Sequence, residues 1–273
     1  MIQISHLDYK YMGAKSHVFN DFDLTLSNNN IYGLLGKNGM GKSTLLYLMC
    51  GLLRPERGTI TIDDYDVKQH NPELLSKLFF VPEEFELLPV SLKEYIKVNR
   101  DFYPHFSMDI LKQCLNDFGL PLDVHLKELS MGQKKKVYMS FALATNTQYL
   151  LMDEPTNGLD IPSKSEFRKI IARNMSDERT LIISTHQVHD VESLLDHILI
   201  LDHSHMLLNA SVADICEQYT FEFRTVNQMD DSVIYSEPSL QGNAVIAHKT
   251  SPGKETTLNM ELLFNAVTNG IIK

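Results

Sequence analysis

The residues Gly36-Lys37-Asn38-Gly39-Met40-Gly41-Lys42-Ser43-Thr44 decide how this chain of 273 residues folds. They contain the pattern G-x-x-x-x-G-K-[ST], preceded by an apolar stretch typical of a strand (Ile31 to Leu35) and followed by one typical of a helix (Leu45 to Cys50). In such a unit the glycines let backbone N–H groups converge on an anion, and the helix adds the positive end of its dipole. The stretch therefore predicts a site for the phosphates of a nucleoside triphosphate.

Individual residues of this loop have separate expected tasks. Lys42 should reach the β- and γ-phosphates, and the Ser43 hydroxyl should be a ligand of Mg²⁺. The alternative is a glycine turn that caps an ordinary helix, but the apolar strand directly before the loop favours the nucleotide site. The residues of this loop expected to bind the nucleotide are Gly36, Asn38, Gly39, Gly41, Lys42, Ser43 and Thr44.

A tyrosine near the N-terminus is a candidate for contact with the nucleotide base. Tyr11 lies in a short aromatic segment between two predicted strands, and an aromatic ring can stack on any base. A tyrosine packed on a strand edge would explain the same residue equally well. Both interpretations stay open.

The composition limits the possible functions. Hydrophobic residues make up 43% of the chain and charged residues 22%, which is ordinary for a globular protein with a sizeable core. The 25 basic and 35 acidic residues give a formal net charge of −10, which argues against binding to nucleic acid or to anionic lipid. The three cysteines are widely spaced, match no metal site and suggest reduced thiols in the cytoplasm.

No segment is expected to enter a membrane. The chain opens directly into a strand-like segment at Ile2, so no signal peptide is expected. No apolar run approaches the length that spans a bilayer. We therefore expect a cytoplasmic protein whose contact with a membrane is made only through a partner.

The order of the apolar segments predicts an α/β fold. Residues 2–8 and 22–35 are predicted to form paired strands, and later strands alternate with helices, which favours a mainly parallel sheet. Ligands of such sheets bind at the carboxyl ends of the strands, where Gly36, Asp153 and Ser184 all fall. The expected fold is a P-loop NTPase core with a mainly parallel sheet, an antiparallel β portion, an inserted helical subdomain and a small C-terminal α+β appendage.

Two parts of the chain depart from the alternating pattern. We expect residues 1–215 to form the nucleotide-binding domain, with a helical subdomain inserted at about 84–146. Residues 216–273 are expected to form a small accessory region. In that region we predict three short strands, a turn at Ser251-Pro252-Gly253 and a helix that begins at Met260.

The helical subdomain has recognisable helix starts. Ser91 and Glu94 form a capping-box pattern, and Ser107 is a plausible N-cap for a second helix. An aromatic cluster made of Phe102, Tyr103 and Phe106 lies between the two helices. We interpret it as the core of the subdomain, with a docking surface for a partner's helix as the alternative.

Two adjacent acids follow an apolar strand, and they should have different tasks. Asp153 can hold Mg²⁺ through water beside Ser43, and Glu154 is placed to polarise an attacking water. His186, which follows a later strand, could sense the γ-phosphate and orient Glu154. Taken alone, the acids could form a solvated turn and the histidine could be structural. The phosphate loop favours the functional interpretation.

Taken together, these motifs resemble the ABC ATPases. The stretch Leu129-Ser130-Met131-Gly132-Gln133 looks like the signature motif of that family, and Leu150 to Asp160 resembles its second nucleotide motif running into the D-loop. His186 matches the switch histidine, and the motifs occur in the family's order across residues 1–215. Within the family the chain is most similar to ATP-binding subunits of ABC-2-type exporters, on the step Pro82-Glu83 and the appendage after residue 216.

The resemblance implies a head-to-tail dimer with two ATP molecules at its interface. Each site would combine the loop Gly36–Thr44 of one chain with Ser130, Gly132 and Gln133 of the other. Ser130 is also a good N-cap, while Lys134–Lys136 in the first turn oppose the helix dipole. A triphosphate arriving from the partner would relieve that positive charge, and a solvated lysine run is the alternative.

The resemblance also implies an activity and partners. The chain would hydrolyse ATP with Mg²⁺ and drive a separate, membrane-embedded transporter subunit, an exporter if the similarity to the ABC-2 group holds. It would lie at the inner face of the membrane. The second ATPase of the dimer would be another copy of the chain or a paralogue.

Two positions depart from the family's pattern. Glu83 stands where the family usually has glutamine; a carboxylate can bind Mg²⁺ or its waters, but when ionised it only accepts hydrogen bonds. Met131 stands where the signature usually has glycine. Because Ser130, Gly132 and Gln133 are retained, we expect the function to survive.

Two other functions compete with transport. A soluble ABC ATPase could act as a nucleotide-gated clamp on a ribosome, a nucleic acid or a scaffold. The single phosphate loop, the lack of a long coiled coil and the acidic charge argue against it. A degenerate binder that does not hydrolyse ATP is the third interpretation, and the presence of Lys42, Asp153, Glu154 and His186 argues against that one.

Overall fold

A six-stranded sheet forms the centre of the computed structural model, which describes residues 1–240, 242–249 and 256–272. The strands of this sheet are β3 (Ile31–Leu35), β6 (Leu78–Val81), β7 (Tyr149–Asp153), β8 (Thr180–Thr185), β9 (His197–Asp202) and β10 (His205–Ser211). Their order is β10-β9-β3-β8-β7-β6, and only β10 is antiparallel to its neighbour. The predicted mainly parallel sheet is confirmed.

A smaller antiparallel sheet lies at the N-terminus. It consists of β1 (Ile2–Tyr9), β2 (Phe19–Leu26), β4 (Arg57–Ile62) and β5 (Tyr65–Asp66), in the order β2-β1-β4-β5. The predicted pairing of residues 2–8 with 22–35 is right for β2 and wrong for β3, which joins the parallel sheet. All five residues of β3 are buried, as in a strand covered on both faces, whereas β2 has several exposed positions.

Eight α-helices complete the described part of the chain. They are α1 (Lys42–Met49), α2 (Pro72–Lys77), α3 (Leu92–Asn99), α4 (Met108–Asp117), α5 (Met131–Ala144), α6 (Ile161–Asn174), α7 (Val212–Gln218) and α8 (Met260–Thr268). The predicted caps are present: Ser91 forms a capping box with Glu94, and Ser107 accepts a hydrogen bond from the backbone N–H of Ile110. None of these helices is both long and apolar enough to cross a bilayer.

The helical insertion packs on the parallel sheet through aromatic rings. Phe141 of α5 contacts Phe79 of β6, with ring centroids 5.9 Å apart, and it also contacts Tyr103 and Phe106. These two residues of the predicted aromatic cluster therefore belong to the core of the subdomain. The third, Phe102, is 68% exposed.

The C-terminal region is an α+β unit attached to the end of the parallel sheet. Its strands are β11 (Tyr219–Arg224), β12 (Val233–Ser239) and β13 (Gly242–His248), in the order β11-β13-β12. Met260 and Leu263 of α8 are buried in the same hydrophobic cluster as Ile198 of β9. The predicted turn at 251–253 lies outside the described residues. The sequence did not predict β10 or α7.

One buried arginine joins several elements. Arg179, 2% exposed, lies just before β8. Its guanidinium donates to the backbone carbonyls of Thr147 (3.1 Å), Asn174 (2.7 Å) and Leu143 (3.4 Å), and to the side-chain oxygen of Asn146 (2.8 Å). The carbonyl groups near the C-terminal ends of α5 and α6 are the negative ends of helix dipoles, so they suit a buried cation.

Candidate functional site

The loop between β3 and α1 is held by its own lysine. The ammonium of Lys42 donates to the carbonyls of Gly36 (2.7 Å) and Lys37 (3.2 Å), and the side chain is buried. Burial lowers the pKa of Lys42, while the nearby carboxylates of Glu154, Asp153 and Glu83 act in the opposite direction. The loop thus presents a lysine in an environment where an anion would stabilise its charged form.

Two glycines of the loop are required by its shape. A Cβ at Gly36 would lie 2.5 Å from the carbonyl oxygen of Leu201. Gly41 has φ +101°, and a Cβ there would lie 2.9 Å from Val18. The first position needs close backbone approach and the second a left-handed conformation, and only glycine provides both at no steric cost.

Ser43 and Asp153 meet beside this loop. The Asp153 carboxylate is buried, and it accepts hydrogen bonds from the hydroxyls of Ser184 and Ser43. Burial raises the pKa of Asp153, and these two hydrogen bonds act against that increase. A hydroxyl and a carboxylate side by side are the hard oxygen donors that Mg²⁺ prefers. The residues present therefore fit a magnesium ion.

Glu154 follows directly and is held in a defined position. Its carboxylate accepts hydrogen bonds from the Thr185 hydroxyl (3.0 Å) and from the backbone N–H of His186 (3.0 Å), and His186 Nδ1 lies 2.7 Å from the same carboxylate. The side chain is 5% exposed, and its backbone is left-handed, with φ +44°. A non-glycine residue in this conformation stores strain, which often occurs at functional sites.

Tyr11 lies beside the end of the phosphate loop, next to Thr44. Its hydroxyl is 3.0 Å from the Thr44 hydroxyl, and its ring meets the ring of Tyr9 edge to face. The residue is 42% exposed. The structure thus brings Tyr11 next to the phosphate loop, at a place where part of its surface is open to a ligand.

The signature residues form the start of α5. The Ser130 hydroxyl accepts from the backbone N–H of Gln133 (3.3 Å), and the Gln133 side chain accepts from the backbone N–H of Ser130 (3.0 Å). Ser130 and Gln133 are exposed. Among the described residues, no hydrogen bond or ion pair joins Ser130, Gly132 or Gln133 to the phosphate loop of the same chain.

Asp160 caps the next helix. Its carboxylate accepts from the backbone N–H of Ser163 (2.9 Å) at the start of α6. Hydrogen bonding to Ser163 lowers the pKa of Asp160. Asp160 is therefore the N-cap of α6 in this chain. Because it is exposed, it is also accessible to a second protein.

The structure corrects the expectation for one of the three lysines of α5. Lys135 does not point outward: it is buried, and its ammonium donates to the carbonyls of Glu154 (2.8 Å) and Asn157 (3.0 Å). The Asn157 side chain in turn donates to the carboxylate of Glu83 (2.8 Å). A signal for this was present, because Lys135 shares the helical spacing i, i+4, i+7 with Met139 and Ala142, both of which are buried.

Comparison with known proteins shows the family to which the chain is similar. The family described as ABC transporter matches residues 19–157. The chain is 26% identical over 221 residues to the ABC transporter ATP-binding protein YtrB of Bacillus subtilis, covering 80% of this chain and 75% of that protein. It is 30% identical over 205 residues to the lipopolysaccharide export system ATP-binding protein LptB of Haemophilus influenzae, covering 69% and 83%.

Solved structures share the fold. The dimeric structure of MJ0796, a bacterial ABC transporter cassette, superposes with a TM-score of 0.68 at 23% sequence identity, over 78% of this chain and 99% of that one. The matched relatives include ATP-binding proteins named for import as well as for export.

Proposed function

Because this chain belongs to the ABC transporter family, we propose that it is the ATP-hydrolysing subunit of a transporter whose membrane-spanning part is a separate protein. One observation carries this proposal. The carboxylates of Asp153 and Glu154, the imidazole of His186 and the phosphate loop converge at the carboxyl ends of β3, β7 and β8. That edge is where ligands of parallel sheets bind.

Each residue has a role in our account of hydrolysis. Lys42 binds the β- and γ-phosphates, and Ser43 and Asp153 hold Mg²⁺, which when bound neutralises phosphate charge. Glu154 orients the attacking water and accepts its proton. His186 contacts the carboxylate of Glu154 and keeps it in place. The wider set of site residues that we propose comprises Tyr11, Gly36, Asn38, Gly39, Gly41 and Thr44 for the nucleotide, and Glu83 as a further group near the metal.

We further propose that the site is completed by a second chain. Within the described part of one chain, no hydrogen bond or ion pair joins Ser130, Gly132 or Gln133 at the start of α5 to the phosphate loop. The N-terminus of a helix attracts phosphate through its free N–H groups and its dipole. A cassette with the same fold was solved as a dimer, which supports a dimer here. The arrangement that we propose is head to tail, with Asp160 of the D-loop at the interface. The second chain is a copy or a paralogue.

An apolar groove supports docking of a membrane-embedded partner. It is a cavity of about 530 Å³ between the central sheet and the helical insertion. Its walls include Leu52 and Phe102, which are 62% and 68% exposed. We call this the docking groove; its other apolar walls include Leu75, Phe80 and Tyr138. We propose that a helix of the membrane subunit occupies it, which would place the chain at the inner face of the membrane.

The domain boundaries and the type of transporter are also proposals. Residues 1–215 would form the ATPase domain, with the helical subdomain at about 84–146, and residues 216–273 the accessory region. Helix α7 runs across the boundary, so the accessory region would follow without a linker. An exporter of the ABC-2 type is supported by the step Pro82-Glu83 and by the accessory region.

Co-purification tests the proposed partner. A tagged chain with Glu154→Gln, isolated from its native cells in mild detergent with Mg-ATP, is expected to bring down a protein with several membrane spans. The further change Phe102→Glu, which puts a charge into the docking groove, should lower that recovery about ten-fold or more. Leu240→Glu alters an equally apolar, exposed residue outside the groove and should leave recovery unchanged. Recovery of only soluble partners would contradict the transporter function and favour a nucleotide-gated clamp.

A further inference from the structure

A buried cation lies behind the catalytic carboxylate. Lys135 is 5% exposed, and within the part of the chain that the structure describes its ammonium has no carboxylate within ion-pair distance. Its partners are two backbone carbonyls, those of Glu154 and Asn157. Burying an ammonium without a close ion pair is costly. The two hydrogen bonds and the nearby carboxylates of Glu83, Glu154 and Asp153 offset that cost.

Those hydrogen bonds close the turn that carries Glu154. The carbonyl of Glu154 accepts from Lys135 and also from the backbone N–H of Asn157 (3.1 Å). Because Glu154 has a left-handed backbone, the turn is strained and persists only where its surroundings hold it. The lysine supplies that support directly at the peptide group of the catalytic residue.

The same lysine belongs to the signature helix. The structure places Lys135 five residues after the cap Ser130, in the second turn of α5 and not in the first turn as expected from the sequence. The hydrogen bonds that Ser130 and Gln133 exchange stiffen the helix between them. A displacement of the start of α5 therefore moves Lys135. No other side chain of α5 donates a hydrogen bond to the turn of residues 154–157 among the contacts of the described residues.

We propose that Lys135, which belongs to the signature helix α5, is a positioning residue for Glu154 of the same chain. This inference rests on the proposed function, in which the start of α5 binds the nucleotide of the partner chain. One helix then serves two sites: Ser130 contacts the partner's ATP, and Lys135 holds the backbone carbonyl of the catalytic Glu154 in the chain to which it belongs. Hydrolysis at one site thereby becomes sensitive to the nucleotide at the other.

The first test separates positioning from binding. Lys135→Met keeps the length of the side chain and removes its donors. We expect kcat to fall about ten- to hundred-fold, as for a small displacement of a catalytic group, with KM for ATP and ATP-driven dimerisation unchanged. Lys112→Met removes the same charge at an exposed site of α4 and should have no effect. A change confined to KM would contradict the proposal.

Mixed dimers, made from two differently tagged chains, test the direction of the effect. The reference pairs a Glu154→Gln chain with an unaltered chain, so that one site remains active. When Lys135→Met is added to the Glu154→Gln chain, activity should stay at the reference level. When it is placed in the other chain, activity should fall about ten- to hundred-fold. The structure predicts this asymmetry because Lys135 contacts Glu154 of its own chain.

The other results have clear meanings. The reverse asymmetry would show that Lys135 acts on the partner's nucleotide through the signature helix and would overturn the proposal. Equal loss in both arrangements would indicate a structural defect, and no loss in either would indicate no role; both overturn it. If the unaltered chain does not hydrolyse ATP at all, the proposed function itself fails, which is a separate result.

Discussion

Replacement of Glu154 by Gln is expected to lower kcat for ATP hydrolysis by about 10²- to 10⁴-fold. The amide has the same size and can keep a hydrogen bond to the Thr185 hydroxyl, which lies 3.0 Å from the carboxylate. It cannot accept a proton from water. Since the phosphate loop, Ser43 and Asp153 are untouched, ATP should bind as before.

The measurement is steady-state release of phosphate with Mg-ATP, together with the dissociation constant for ATP. Glu217→Gln, which alters an exposed glutamate of α7, is the matched control and should retain full activity. Turnover of the Glu154→Gln chain within a few-fold of the unaltered chain would rule out Glu154 as the base. Loss of ATP binding would show instead that the carboxylate is needed to build the site.

Replacement of Arg179 by Met is expected to lower the free energy of unfolding by about 3–5 kcal/mol. The guanidinium donates to the carbonyls of Thr147 and Asn174, and also to that of Leu143, which keeps a second donor in the backbone N–H of Asn146. Methionine fills much of the same space but donates no hydrogen bond. Each carbonyl left without a donor costs about 1–3 kcal/mol, and the whole stability of a domain is about 5–15 kcal/mol.

Chemical denaturation monitored by circular dichroism gives this free energy. The control is Arg173→Met, because Arg173 forms a partly exposed ion pair with Asp117, and such pairs contribute about 0–1 kcal/mol. If both variants lost the same small amount of stability, the hydrogen bonds of the buried arginine would not hold these elements together as its contacts indicate. A loss confined to activity, with unchanged unfolding, would contradict the structural role as well.

Features encoded within a few adjacent residues could be predicted from the sequence. The phosphate loop, with β3 before it and α1 after it, needs only contiguous glycine, lysine and apolar residues. The same holds for the caps at Ser91 and Ser107, where the capping side chain is three residues from its partner. The residues of the candidate site could also be named, because the motifs carry them in a fixed order.

Features that depend on distant partners could not be predicted. The pairing of β3 with β8 and β9, rather than with β1, depends on contacts across more than 140 residues of sequence. Arg179 looks like a solvated loop residue until the carbonyl groups around it are known. Lys135 sits in a run of lysines, and only the packing of α5 shows that it faces the turn of Glu154.

The most direct test of the central claim, a site shared by two chains, is the mass of the protein in solution. With Mg-ATP, the Glu154→Gln chain should double in mass by light scattering, because bound ATP is not consumed. Adding Ser130→Glu places a carboxylate where the partner's phosphates would lie, so the protein should remain folded and monomeric. A dimer that forms equally well with Ser130→Glu, or that forms without nucleotide, would contradict the shared site.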